Sequence, residues 1–220
     1  MAGTMPHAVF VETGLDAEGS VAAYAAELPG CAVFARTDTD AVAAMPRRVL
    51  DFLRWLAEAG ERAPMVVGDN WYEVERAAAL DGRRAAFSLD ELPPSDDEFT
   101  MWIRWLELAR EELADALDGA GDEAVLGVRD RLEAVSQQDA TFATQLGSSS
   151  TGSEDVPSSE DVPDSEDTPA DVVDRLYATR DELSTALEGA GSTADGVRRI
   201  LRLAIADDLR VAADIRGASV

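Results

Sequence analysis

The sequence predicts an α+β protein: a small antiparallel sheet covered by one helix, followed by a four-helix bundle. Three observations carry this. Short apolar runs separated by turn residues fill the first ninety positions. From Ser95 onward the apolar period changes to that of helices. Gly119-Ala120-Gly121 and Gly189-Ala190-Gly191 then close two of four helix-length segments. The division expected is residues 1–92 for the sheet half and 93–220 for the helical half.

In chain order, His7 to Thr13 (HAVFVET) reads as a first strand, with Asp16-Ala17-Glu18-Gly19 as the turn into a second at Ser20–Ala26. Leu28-Pro29-Gly30 ends that strand and Cys31 to Arg36 makes a third. A helix starts near Thr37–Asp40. Pro46 is expected to interrupt it and open a new helix, where its missing N–H costs nothing. Val42, Met45, Val49, Leu50, Leu53, Leu56 and Ala57 fall close to one face, up to Gly60. Met65–Ala79 gives one or two further strands and Arg84–Leu89 another. Ser95 with Glu98 forms a capping box for a helix to Asp118, its inner face built from Phe99, Trp102, Ile103, Leu106, Ala109, Leu113 and Leu117. Glu123–Leu146 is the second helix of the bundle. Residues 148–167 contain three near-copies of an acidic hexamer, SEDVPS, SEDVPD and SEDTPA, and read as a disordered loop. Thr168-Pro169 restarts helix as N-cap and first turn, and Ser192 or Thr193 caps a last helix running to about Arg216.

The charge is unusual. Forty-four acidic residues face nineteen basic ones, all arginine, for a net charge of −25. Such a field repels phosphate, so nucleic acid and anionic membrane are not expected partners. The composition predicts a solvated acidic coat suited to a high-salt, haloarchaeal-type cytoplasm, where screening is nearly complete. Cys31 is the lone cysteine, which excludes an internal disulfide. Residues 1–11 lack the basic and apolar regions of a signal peptide, and no apolar run approaches the ~18 residues needed to span a bilayer. A cytoplasmic location is expected.

Two resemblances emerge from these segments. ELPGC with TDTDAVAAMPRRVLDFLRWLAEAGE resembles the N-terminal domain of HicB-like antitoxins, a sheet-and-helix fold of partial RNase H type, over roughly residues 5–90. HicB antitoxins normally add a C-terminal DNA-binding module, and residues 93–220 show no counterpart to it. RDRLEAVSQQDATFATQLG and GVRRILRLAIADDLRVAADIR resemble the DinB-like four-helix bundle, whose members often bind a divalent metal and in some cases transfer thiols. That family places three histidines at positions that align here with Ala134, Asp207 and Val211. Ala and Val supply no lone pair, so the resemblance implies a bundle without its metal triad.

Asp207 and Asp208, with Asp139 across the bundle, are the remaining candidate metal ligands, and oxygen donors would favour Mg²⁺, Ca²⁺ or Mn²⁺. Adjacent acids on a helix point two ways and arise by composition in so acidic a chain. The expectation is therefore that they are surface residues, with no catalytic residue, no metal and no cofactor. Gln137, Gln138 and Asp139 mark where a polar pocket could remain. Cys31 suits a small buried hydrophobe, and His7 an exposed strand opening. Trp55, Trp71, Tyr72, Trp102 and Trp105 are expected to cover the contact between the two halves. The function expected is a non-catalytic binding or regulatory protein whose partner is a protein or a small molecule, with homodimer formation left open. The alternatives are a metal-dependent transferase or hydrolase using carboxylates, and an antitoxin-like protein binding a small basic partner.

Overall fold

A computed structural model describes residues 7–62, 64, 70–80, 83–150 and 168–217. It is α+β, with strands β1 (His7–Thr13), β2 (Val21–Ala25), β3 (Ala32–Ala35) and β4 (Trp71–Ala78). The helices are α1 (Asp38–Glu58), α2 (Asp96–Asp118), α3 (Asp122–Gly127), α4 (Arg129–Ser150), α5 (Pro169–Ala190) and α6 (Val197–Ile215).

The sheet has the order β3-β2-β1-β4, and it is mixed rather than antiparallel. β1 pairs antiparallel with β2, and β2 with β3, but β4 runs parallel to β1. The reason is the connection. α1 carries the chain from β3 across the sheet to β4, and a helical crossover returns the chain in the same direction. The pleat then sorts side chains. Phe10, Glu12, Tyr24 and Phe34 share one face by register, and Val9, Val11, Ala23 and Val33 share the other. α1 covers the second face with Ala41, Met45, Val49, Phe52 and Leu56. The first face is covered as well: Arg202 and Arg210 of α6 lie over the Tyr24 and Phe34 rings, and Phe87 stacks on Phe10. That is why every residue of β2 is buried, and it makes α6 a layer of the sheet half as much as of the helical half.

Several expected boundaries move. α1 is one helix through Pro46. Proline removes a single hydrogen bond, to the Val42 carbonyl, and the buried stripe 41/45/49/52/56 on both sides holds the turn together. Leu50, expected inside, is exposed because this stripe places it on the opposite face. The second helix of the bundle is split at Val128 into α3 and α4. α6 begins at Val197 behind Gly196, whose φ of 74° is left-handed, rather than at a Ser192 or Thr193 cap. The acidic stretch begins later than expected, since α4 includes Ser150, and residues 151–167 lie outside the described residues, as do 65–69.

Residues 84–89 form no strand. Their backbone groups are taken by side chains: the Ala85 N–H donates to Glu12 (2.5 Å), and the Arg84 and Ala85 carbonyls accept from Arg199 and Arg202. With those groups occupied there is no ladder to join, and Ser88–Glu91 closes instead as a short 3-10 turn.

Local signals at helix starts have the forms expected. Thr37, Ser95 and Thr168 each accept from a backbone N–H three residues on, and Ser95 and Thr168 form reciprocal boxes with Glu98 and Asp171. Replacing Ser95 or Thr168 by alanine is expected to lower unfolding free energy by about 1 kcal/mol each, measured by denaturant titration at fixed salt.

The interior falls into two apolar clusters. The larger runs from the sheet and α1 through α2 and α6 to Phe142, Leu146, Leu183 and Leu187. Trp105, fully buried, meets Phe52 edge-on at 5.8 Å and ties α2 to α1. The smaller cluster joins Leu113, Leu117, Val125, Leu132, Val135, Leu176 and Val211 at the far end of the helices. Among the described residues, no helix is long and apolar enough to cross a membrane.

Candidate functional site

α6 is where the charges converge. Every residue from Ile200 to Leu209 is buried, so this helix has no solvent face over that span. A helix buried all round must supply partners for any charge it carries, because an isolated buried ion is far costlier than a paired one. Arg202, Asp207 and Asp208 lie in this span, and each is met by a residue from another element.

Arg202 grips Asp90 through two nitrogens, at 2.6 and 3.2 Å, and donates to the Ala85 carbonyl at 3.2 Å. Its guanidinium lies 4.5 Å from the Tyr24 ring centroid and 4.8 Å from that of Phe87. The planar fork and the aromatic stack both need arginine, which a compact ammonium could not replace.

Asp207 faces the sheet. Arg84 donates to both of its oxygens at 2.9 and 3.0 Å, and Gln138 of α4 donates to it at 2.9 Å. The same guanidinium reaches Glu12 of β1 at 3.1 and 3.2 Å and donates to the Tyr24 hydroxyl. The Tyr24 hydroxyl in turn donates to Glu12 in a 2.8 Å hydrogen bond. Burial raises the Tyr24 pKa and keeps the phenol protonated as that donor. Burial works against the Arg84 charge, yet Asp207, Tyr24 and Glu12 around it hold its pKa well above the ordinary value.

Asp208 is one residue on, about 100° around the helix, and faces the interior of the helical half. There it pairs with Arg180 of α5. Asp139 of α4 lies 3.8 Å from Arg180, and Arg110 of α2 completes the group while donating to Ser184. Burial, then the charge of Asp208, push Asp139 up to about 7; burial likewise raises Asp208, and it lowers Arg110. Since the folded pKa of Asp139 lies above that of a free carboxyl, the folded state binds the extra proton. Its contribution to stability therefore falls as pH rises from about 4 to about 7.

The three candidate carboxylates are thus buried, at 2% exposure for Asp139, 6% for Asp207 and 2% for Asp208. The surface expectation is overturned, because α6 is enclosed on every side. They are divided between two networks, and arginine supplies the positive charge beside each. Among the described residues, no group of three or more His, Cys, Asp or Glu stands where it could hold a metal ion. Ala134 is exposed whereas Asp207 and Val211 are buried, so the positions aligned to the DinB histidines do not face one site. Of the polar trio on α4, Gln137 is exposed, Gln138 holds Asp207 and Asp139 enters the interior.

Other expectations resolve simply. His7 is buried rather than exposed, stacked on Trp71 at 4.5 Å and 3.2 Å from the Glu27 carboxylate. Cys31 is fully buried and burial pushes its thiol up to about 12, so it is a core residue. Trp55 and Trp105 do line the seam between α1 and α2, while Tyr72 is exposed on β4.

Among the described residues, open grooves mark the surface, and two of them flank α1. The larger, about 520 Å³, lies between the N-terminal half of α1 and β4, with Val42, Ala43, Pro46 and Trp71 on its floor and Asp38, Glu73 and Arg76 at its rim. The smaller, about 180 Å³, lies between Phe52 and Trp55 of α1 and Leu209 and Ala212 of α6.

Arg84, Arg110, Arg180, Arg202, Glu12, Tyr24 and Asp90 are the site residues that the sequence alone does not single out. A signal existed on the helices. Arg110, Asp139, Arg180 and Asp208 each occupy a position that the apolar period assigns to the inside. No protein-family description, curated protein or solved structure matches this chain.

Proposed function

We propose that the chain is a non-catalytic binding or regulatory protein: a HicB-like front joined to a DinB-like bundle that has lost its metal triad. The groove between α1 and β4 is its contact surface. The observation that carries this reading is the pairing of Asp90, Asp207 and Asp208 with Arg202, Arg84 and Arg180. Carboxylates neutralised in this way hold the sheet and helices together, so these three are engaged by arginine rather than by water or a metal. The groove offers what a partner needs. It has an apolar floor ending at Trp71 and a charged rim where Arg76 is fixed between Asp38 and Glu73.

The acidic rim and the net charge of −25 favour a small basic protein as partner, the antitoxin-like form of this reading. The test is co-purification from the native source in high salt, without chelator, with metal counted per chain. A partner retained by the native protein and lost with Ala43→Arg, which places a charge on the groove floor, is the expected result. Stoichiometric metal that disappears with Asp207→Asn would sink the reading and return the metal-dependent transferase or hydrolase.

A further inference from the structure

The smaller of the two grooves carries charge of the opposite sign to the chain. Its walls are apolar, with Phe52 and Trp55 of α1 on one side and Leu209 and Ala212 of α6 on the other. The charged residues lining it are Arg48 of α1, Glu112 of α2 and Arg216 of α6, two cations against one anion. Arg216 is matched already, since it donates to the Glu112 carboxylate and, at 3.1 Å, to the Glu112 carbonyl. Arg48 is the cation left over, in a protein whose net charge is −25.

Arg48 is also fixed in place. Its Nε donates to the Ala32 carbonyl of β3 at 3.0 Å, which anchors one corner of the guanidinium. Among the described residues, Nη1 and Nη2 have no partner and no carboxylate pairs with this arginine. Those two nitrogens form a fork that matches a carboxylate with two parallel hydrogen bonds. Arg48, Phe52 and Trp55 stand at i, i+4 and i+7 of α1, so a guest anchored on Arg48 has about 10 Å of helix to run along before Trp55. Trp55 is half-buried, its ring tilted 48° to that of Phe52 with centroids 5.2 Å apart, and a guest ring can join such a pair offset or edge-on.

The space is about 180 Å³. An apolar space of about 150 Å³ takes one benzene ring, so this groove takes a ring with a short arm. It is too small to seat a protein partner, whose interface needs roughly 800 Å² on each side. We infer that this groove binds a small aromatic monocarboxylate, its ring against Trp55 and Leu209 and its carboxylate on Nη1 and Nη2 of Arg48. The apolar walls supply affinity through area removed from water, and the arginine selects the charged form over a neutral one. One carboxylate brings the charge of the groove to zero, whereas a second would overshoot it. The site is independent of the groove between α1 and β4, and either can fail alone.

3-Phenylpropanoate is the probe. Titrated into the full chain at neutral pH and fixed salt, it should occupy one site with a dissociation constant of about 1 mM or below. It should also move the indole N–H resonance of Trp55, assigned with Trp55→Phe. 3-Phenylpropanamide, which has the shape without the charge, should bind about tenfold more weakly or worse, and so should propanoate, which lacks the ring. Arg48→Gln should bring acid and amide to equal affinity. Ala213→Phe, which fills the groove and keeps Arg48, should abolish binding, while Ala43→Arg in the other groove should leave it unchanged. A Trp55 resonance unmoved by about 10 mM probe would overturn the inference. Equal binding of acid and amide by the native chain would do the same, as would equal binding of propanoate, which would mean an ion on a surface arginine only. Should Arg48→Gln fail to fold, the acid-to-amide ratio of the native chain and the Ala213→Phe titration decide.

Discussion

Replacing Arg84 by methionine is expected to lower unfolding free energy by about 3–5 kcal/mol, the cost of removing one partner from a buried ion group. Glu12 has no exposure and Asp207 has 6%, and Arg84 is the cation between them. Without it, two carboxylates remain buried near each other, and the Tyr24 hydroxyl loses a donor. The loss should be seen as a lower denaturation midpoint at fixed high salt. The triple variant Arg84→Met, Glu12→Gln, Asp207→Asn should recover most of it, because the neutral amides no longer need a counter-charge. An Arg84→Met protein as stable as the native one would mean that water reaches these acids and that the network does not join sheet to helix.

This network shows where sequence reading stops. The helix starts at Thr37, Ser95 and Thr168 were legible because a cap and the N–H it bonds lie three residues apart. Asp207 was legible as a candidate, yet its partner Arg84 is 123 residues away and Gln138 is 69 away. The apolar period marks Asp139 and Asp208 as inward, but nothing local names the arginine that pairs with a buried acid in a chain so rich in aspartate and glutamate. Residues 84–89 failed for the same reason. AAFSL has the composition of a strand, but Arg199 and Arg202, more than a hundred positions on, take the carbonyls that a strand would have used. The α+β class rested on period, which is local. The mixed sheet rested on the direction of a crossover, and the burial of the face carrying Phe10, Tyr24 and Phe34 rested on α6 at the far end of the chain.

Gly30→Ala is expected to be the other severe substitution, and it tests the same junction from the backbone side. Leu28-Pro29-Gly30-Cys31 is a tight turn closed by the Cys31 N–H donating to the Leu28 carbonyl at 2.9 Å. Proline at its second position and glycine at its third are what a type II turn demands, since the third residue must take positive φ. Gly30 does so, at 86°. Forcing a side chain into that left-handed region costs about 1–2 kcal/mol. The turn also abuts α6: a Cβ on Gly30 would stand 2.5 Å from the Cβ of Ile205, a residue with no exposure. Overpacking of this kind costs a further 1–3 kcal/mol or so. The total expected is about 2–5 kcal/mol by denaturant titration. A double-mutant cycle separates the two causes. Ile205→Gly removes that Cβ and leaves φ of residue 30 unchanged, so Gly30→Ala should cost about 1–3 kcal/mol less in that background. Strict additivity would show that α6 does not bear on the turn, and that φ strain alone makes glycine necessary there.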